Sequence, residues 1–264
     1  MNEYYLNSKI FYKKNKFNKN RKNILFIHGL SGSSSAWNEY ENYFKNRYNI
    51  ISLDLRGHGK SFRPENISDY EFKKFSEDIY NILKKENIKE TNIISHSLGS
   101  LIAIQFHKDY PKIVNSMLLI SPHYAPNKIK FSKLLLSFIK TIKLVLIINK
   151  KKKGNHVNYK NYQNTGDWNL RRMYADIKNT GLKSFIYSTI KSYEVDYEEY
   201  IKTIKTPAWI VHGKKDTIFP ISGSENISKI LKNSKIIILD NANHIIVLNN
   251  FKELSKIINK FMQI

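Results

Sequence analysis

The stretch NIISHSLGSLIAIQFHK, Asn92 to Lys108, decides how the rest of the chain is read. Its first part, Asn92–Ser97, is a short apolar run with the look of a β-strand; its second, Leu98–Lys108, has the look of an apolar helix. At the junction stands Ser95-His96-Ser97-Leu98-Gly99, an S-x-S-x-G pattern one step from G-x-S-x-G. A sharp strand-to-helix turn needs small residues two before and two after its tip, because the chain on either side nearly touches. Gly99 meets that need fully, and Ser95 is small enough to be tolerated. In this setting Ser97 is a candidate nucleophile. The simpler alternative is a serine that only caps the helix.

Working outward, the same strand grammar recurs at Asn23–Gly29, Asn49–Gly57, Asn115–Pro122, Pro207–Gly213 and Ser234–Asp240. These runs are continuous in Ile, Leu and Val and do not alternate, the pattern of strands buried on both faces. Helical periods lie between them. Trp37, Tyr40 and Phe44 share one face, as do Phe72, Phe75, Ile79 and Ile82, and Phe251, Leu254, Ile258 and Phe261. The alternation predicts an α/β fold: a mostly parallel sheet with helices on both faces and right-handed crossovers. Tyr4 to Lys14 is expected to add an antiparallel edge hairpin. The alternation breaks after Pro122. Helix-like segments at 168–179, 182–193 and 197–204 predict a helical cap over 123–205, set into a core of 1–122 and 206–264.

Composition bounds the partners. Lys and Arg number 44 against 22 Asp and Glu, a formal net charge of +22. The lysines are spread along the whole chain and no nucleic-acid motif accompanies them, so composition bias is preferred over a specific nucleic-acid partner. Weak association with an anionic surface stays open. The absence of cysteine excludes disulfides and thiolate chemistry. The polar, aromatic N-terminus lacks the apolar core of a signal peptide, and the expected location is cytoplasmic. The apolar stretch Phe131–Asn149 is interrupted by Lys133, Lys140 and Lys143, which argues against a membrane span.

A serine hydroxyl needs a base, and the base needs an acid to fix its tautomer. Asp216 lies just past the strand at 207–213, and His244 just past the strand at 234–240. Both belong to the sheet edge where open α/β sheets bind ligands. Asp240 competes with Asp216 as the acid but more simply ends a strand. Four motifs then stand in order: HGLSGSSSAW (His28–Trp37), DLRGHGKS (Asp54–Ser61), the serine turn, and HGKKDTIFP (His212–Pro220) followed by His244. Together they resemble the α/β-hydrolase superfamily over nearly the full chain. The resemblance implies a cofactor-free serine hydrolase with Ser97, Asp216 and His244 as its triad. It also implies an oxyanion hole built from the backbone N–H groups of Leu30 and Leu98.

Three positions depart from that pattern: Ser95 for a glycine, Asn243 for the glycine before the histidine, and Asn249 for a glutamate. Serine at the tip separates the chain from epoxide hydrolases and haloalkane dehalogenases, which it otherwise resembles. The expected activity is carboxylic ester hydrolysis on a small-molecule ester. Thioesterase, acyltransferase, lyase or C–C hydrolase chemistry on the same triad, or a non-catalytic ligand receptor, are the alternatives. His28 and His58 are expected to be structural and His96 to shape the turn or border the pocket. His107, His123, His156 and His212 show no metal-ligand spacing. Within Phe131–Asn149, Leu136 and Ile139 are candidates to line an acyl pocket, against the simpler reading of cap core.

Overall fold

A computed structural model of the chain describes residues 1–7, 9–125 and 153–264. The expected hairpin is β1 (Asn2–Leu6) with β2 (Ile10–Lys14), and β2 continues antiparallel onto β4 (Asn49–Leu53). The remaining strands are β3 (Asn23–Ile27), β5 (Thr91–His96), β6 (Val114–Ile120), β7 (Ala208–Gly213) and β8 (Ser234–Leu239). From β4 onward all neighbours pair in parallel, giving the order β1-β2-β4-β3-β5-β6-β7-β8. Each apolar run of the sequence thus becomes a strand, shortened where the chain turns. The run from Asn49 stops at Leu53, because the Asp54 carboxylate gathers the amides of Ser34 and Lys60 and bends the chain away from the sheet.

The helices that cover the sheet are α1 (Asn38–Phe44), α2 (Phe72–Lys85), α3 (Leu98–Asp109), α7 (Ile221–Ile230) and α9 (Phe251–Phe261), with a single turn α8 (Ile246–Asn249) before the last. The strand side chains divide between two cores. Leu25, Ile27, Ile93, Met117 and Leu119 meet α2 and α3 on one face. Ile24, Phe26, Ile94, Leu118 and Ile120 meet α1 and α9 on the other, where Trp37 stacks on Phe26. This is why the runs are continuously apolar: alternate residues feed opposite cores. The edge strand β8 departs from that pattern and is only half-buried. Between β6 and β7 lie α4 (Leu170–Thr180), α5 (Leu182–Glu194) and the short α6 (Glu198–Ile201).

The central strand β3 lies between β4 and β5. The chain leaves β3 toward one side of the sheet and returns at β5 on the other. Crossovers therefore diverge above the C-terminal ends of β3 and β5, which opens a crevice there. His28 to Leu30 follow β3, and Ser97 follows β5.

Candidate active site

Ser97 sits between β5 and α3 with φ 51° and ψ −117°. A side chain at positive φ outside the left-handed helical basin is strained by roughly 1–3 kcal/mol and persists only where its surroundings enforce it. Here they do. The Ser97 amide donates to the Ile120 carbonyl at 2.9 Å, and the Ser97 carbonyl accepts from the Ser100 amide at 2.8 Å. Gly99 lets α3 start against the end of β3: a Cβ there would fall 2.6 Å from the His28 carbonyl oxygen and 2.7 Å from that of Ile27. Ser95 is fully buried, and its hydroxyl is absorbed by the Ser100 hydroxyl at 3.2 Å, so a serine fits in place of glycine.

The loop after β8 brings His244 over this turn. Its Nε2 lies 3.0 Å from Ser97 Oγ, and its Nδ1 lies 2.7 Å from Asp216 Oδ2. Asp216 comes from the loop after β7, and its Oδ1 accepts from the amides of Ile218 at 2.8 Å and Phe219 at 2.9 Å. Burial pushes the Asp216 carboxyl up, but the hydrogen bond and charge of His244 and these two amides outweigh it and hold it below the usual range. With Asp216 ionised, the hydrogen-bond network assigns the His244 proton to Nδ1 and leaves the Nε2 lone pair toward the serine hydroxyl. Asp240 is elsewhere: it is largely exposed and pairs with Lys214 at 3.2 Å.

The His244 peptide is held on both sides. Its carbonyl accepts from His96 Nε2 at 2.8 Å. Burial, and then the neighbouring His244, push His96 down to about 3, so its ring is neutral and donates from Nε2. Its amide donates to Asp167 Oδ1 at 2.8 Å. Asp167 belongs to the polar stretch before α4, where no local pattern marked it out.

A cavity of about 450 Å³ opens over Ser97 and His244. Its walls are mostly apolar and include Leu30, Leu101, Met173, Phe185, Phe219 and Leu248. Leu98 opens α3, so its amide is one of the first-turn N–H groups a helix leaves without an intrahelical partner. Leu30 lies in the turn closed by the Gly32 amide on the Gly29 carbonyl at 3.1 Å. Both residues line the cavity beside Ser97. Leu136 and Ile139, and the whole of Phe131–Asn149, lie outside the described residues.

The other histidines are engaged in packing. His28 donates from Nδ1 to the Gly29 carbonyl and accepts the Leu55 amide at Nε2; burial pushes it down to about 4. His58 hydrogen-bonds the Arg56 carbonyl, His107 lies between Tyr200 and Thr206, and His212 meets Ser224. His123 borders the cavity and accepts the Ala125 amide. His156 reaches the buried Asp54 at 2.8 Å. Among the described residues no group of three or more His, Cys, Asp or Glu could hold a metal ion.

Residues 22–251 match the alpha/beta hydrolase fold family. The chain belongs to that family. The hydrolase fold is also found in solved structures. An alpha/beta hydrolase enzyme from a Medee basin deep-sea metagenome library superimposes with a TM-score of 0.79 at 19% identity, covering 100% of this chain and 98% of that one. A lipase-esterase related protein from Clostridium acetobutylicum does so with a TM-score of 0.73 at 23% identity, covering 96% and 99%. At these identities the likeness carries the fold alone. A relative from Arabidopsis thaliana, named "Probable lysophospholipase BODYGUARD 4", is 34% identical over 115 residues, which are 42% of this hydrolase-fold chain and 27% of that protein. The chain thus spans little more than a quarter of that relative's length. Among the described residues no helix is long and apolar enough to cross a membrane.

Proposed function

We propose that the chain is a serine hydrolase of carboxylic esters, a carboxylesterase acting through an acyl-enzyme on Ser97. The observation that carries this reading is the continuous file Ser97 Oγ, His244 Nε2, His244 Nδ1 and Asp216 Oδ2, with steps of 3.0 and 2.7 Å, at the floor of an apolar cavity. Ser97 Oγ attacks the ester carbonyl carbon while His244 Nε2 takes the hydroxyl proton. Asp216 keeps the proton on Nδ1 and stabilises the imidazolium that forms. The amides of Leu30 and Leu98 face the developing oxyanion, whose stabilisation is usually the largest single term in acyl transfer. The C–O bond of the ester then breaks, and His244 returns the proton to the departing alcohol. Water, deprotonated by the same nitrogen, attacks the acyl carbon, and Ser97 leaves with its proton restored.

The helices α4 to α6 between β6 and β7 belong, in this reading, to the cap expected over 123–205, of which residues 126–152 lie outside the described residues, and they supply Met173 and Phe185 to the cavity wall. A lipase-esterase name on the Clostridium protein and a lysophospholipase name on the Arabidopsis one agree with ester chemistry on this scaffold. The test is a fluorophosphonate probe, which phosphonylates an activated serine, together with p-nitrophenyl ester turnover. Wild-type protein should label at Ser97 and turn over ester, and Ser97→Ala should do neither. Turnover that survives in Ser97→Ala would overturn the assignment.

A further inference from the structure

The acid loop and the histidine loop hang from different strands, yet the transfer of a proton from Ser97 requires both to be held within about 0.5 Å of the productive geometry. Their side chains meet through His244 and Asp216. Their backbones meet directly at one point, where the Lys215 amide donates to the Ala242 carbonyl at 2.9 Å, and are joined again, at His244 itself, through a third residue. Asp167 is buried, and its carboxylate collects donors from both loops. Oδ1 accepts the His244 amide at 2.8 Å; Oδ2 accepts the Thr217 amide at 2.9 Å and the Thr217 hydroxyl at 2.8 Å. The two residues it joins are therefore the histidine itself and the neighbour of Asp216.

The flanking residue Thr165 ties the same segment to the histidine side of the junction. The Thr165 carbonyl accepts from the side-chain amides of both Asn243 and Asn249, at 2.9 Å each, and Asn249 also donates to Asn243 Oδ1. These are two of the positions where the sequence departs from the family pattern, and the departures have a common use: both hold the 165–167 segment. Asp167 is fixed in turn by Arg172 of α4, whose Nη2 donates to the Asp167 carbonyl at 2.6 Å while its Nη1 pairs with Asp176 at 3.2 Å. Charge-assisted bonds to backbone N–H are among the stronger hydrogen bonds, and removing a buried acceptor leaves its donors unpaired.

We propose that Asp167 is a positioning residue for the catalytic histidine and acid: it clasps their two loops so that His244 stays in line between Asp216 and Ser97. The proposal rests on the serine-hydrolase reading above. The clasp acts on the chemical step and leaves the apolar walls that bind the ester in place. A displacement of about an ångström at a reacting group lowers turnover by roughly 10²-fold.

The experiment compares wild type, Asp167→Ala and Asp167→Asn in the full chain. Active sites are counted by fluorophosphonate titration, and kcat and KM are measured per titrated site with a p-nitrophenyl ester, alongside Tm. Asp167→Ala should lose roughly 30- to 100-fold in kcat per site, with a parallel fall in the rate of phosphonylation and KM changed less than about threefold. Asp167→Asn keeps the shape and one acceptor oxygen but turns an NH2 toward the other loop, so it should fall between the two. A purely structural role lowers Tm and the number of titratable sites but not the rate at each site. Both variants turning over at the wild-type rate per site would overturn the clasp, whatever their Tm. Wild-type protein that fails to label at all would overturn the serine-hydrolase reading, and the clasp with it, so the two failures are told apart.

Discussion

Ser97 holds a backbone conformation that its side chain disfavours, and this separates its chemical role from its structural cost. Ser97→Ala keeps the Cβ and with it the strain; Ser97→Gly removes both the hydroxyl and the Cβ. Each should lower kcat by roughly 10⁴- to 10⁶-fold, since losing one member of a cooperating set removes nearly the whole nucleophilic route. Their stabilities should differ. Relief of roughly 1–3 kcal/mol of strain exceeds the roughly 0.5–1 kcal/mol that glycine forfeits through the flexibility of the unfolded chain. Thermal unfolding should therefore find Ser97→Gly more stable than Ser97→Ala; the reverse order would show that the turn is unstrained. A second contrast tests the acid. Asp216→Asn should lower kcat by roughly 10²- to 10⁴-fold by freeing the imidazole to take the wrong tautomer, while Asp240→Asn, an exposed partner of Lys214, should stay within about twofold. The meeting of Ser97, Asp216 and His244 was legible in the sequence because each sits just past the end of an apolar strand. Asp167 was not, because its partners lie 50 and 77 residues away and nothing in its neighbourhood encodes them.

At the scale of elements, α4 carries a buried acid–base group that makes stability depend on pH. Asp176 accepts the Tyr159 hydroxyl at 2.8 Å and pairs with Arg172 at 3.2 Å, and burial pushes its carboxyl up from 3.8 to about 6 against the pull of those partners. Between these two values the folded chain holds a proton that the unfolded chain has released. Stability from this group is therefore present at pH 4, is lost as the pH rises toward 6, and is missing at pH 7. Asp176→Asn keeps the shape of the protonated acid. Its Tm relative to wild type should rise across pH 4 to 7; a difference that stays constant over that range would mean that Asp176 titrates as an ordinary aspartate. The elements themselves were foreseen with uneven accuracy, for physical reasons. The strands β3 to β7 were plain because both faces of each are buried. The polar stretch leading to Asp167 carries no apolar period, yet it buries Val157 and Tyr159 and sends His156 to Asp54. Its polar groups are satisfied by distant parts of the chain, and a local pattern has no means of showing that.

At the scale of the whole molecule, the sheet order turns a linear series of motifs into one site. The loops after β3, β5, β7 and β8 converge on the same edge, so the order of motifs in the sequence already implied their meeting. What the order does not carry is the shape of the space above them, which depends on how α4 and α5 settle over the sheet. That space measures about 450 Å³ and is lined largely by hydrocarbon, with polar groups of the serine turn, the His244 region and α4, Arg172 and Asp176 among them, interrupting it. An acetyl group leaves most of it unfilled. Each further methylene moved from water into such a wall contributes up to about 0.8 kcal/mol, or roughly fourfold in binding, when the contact is complete. With the ester carbonyl fixed at Ser97, kcat/KM should therefore climb by about tenfold or more from p-nitrophenyl acetate to the hexanoate, and level off once the chain reaches the end of the cavity. Phe185 of α5 stands half-buried on that wall. Phe185→Asn should leave turnover of the acetate within about threefold of wild type and flatten the rise with chain length, because it removes apolar contact that only longer chains make. A wild-type preference for acetate with steep loss on longer esters would show that the acyl group is held elsewhere, and that this cavity receives the alcohol side of the substrate instead.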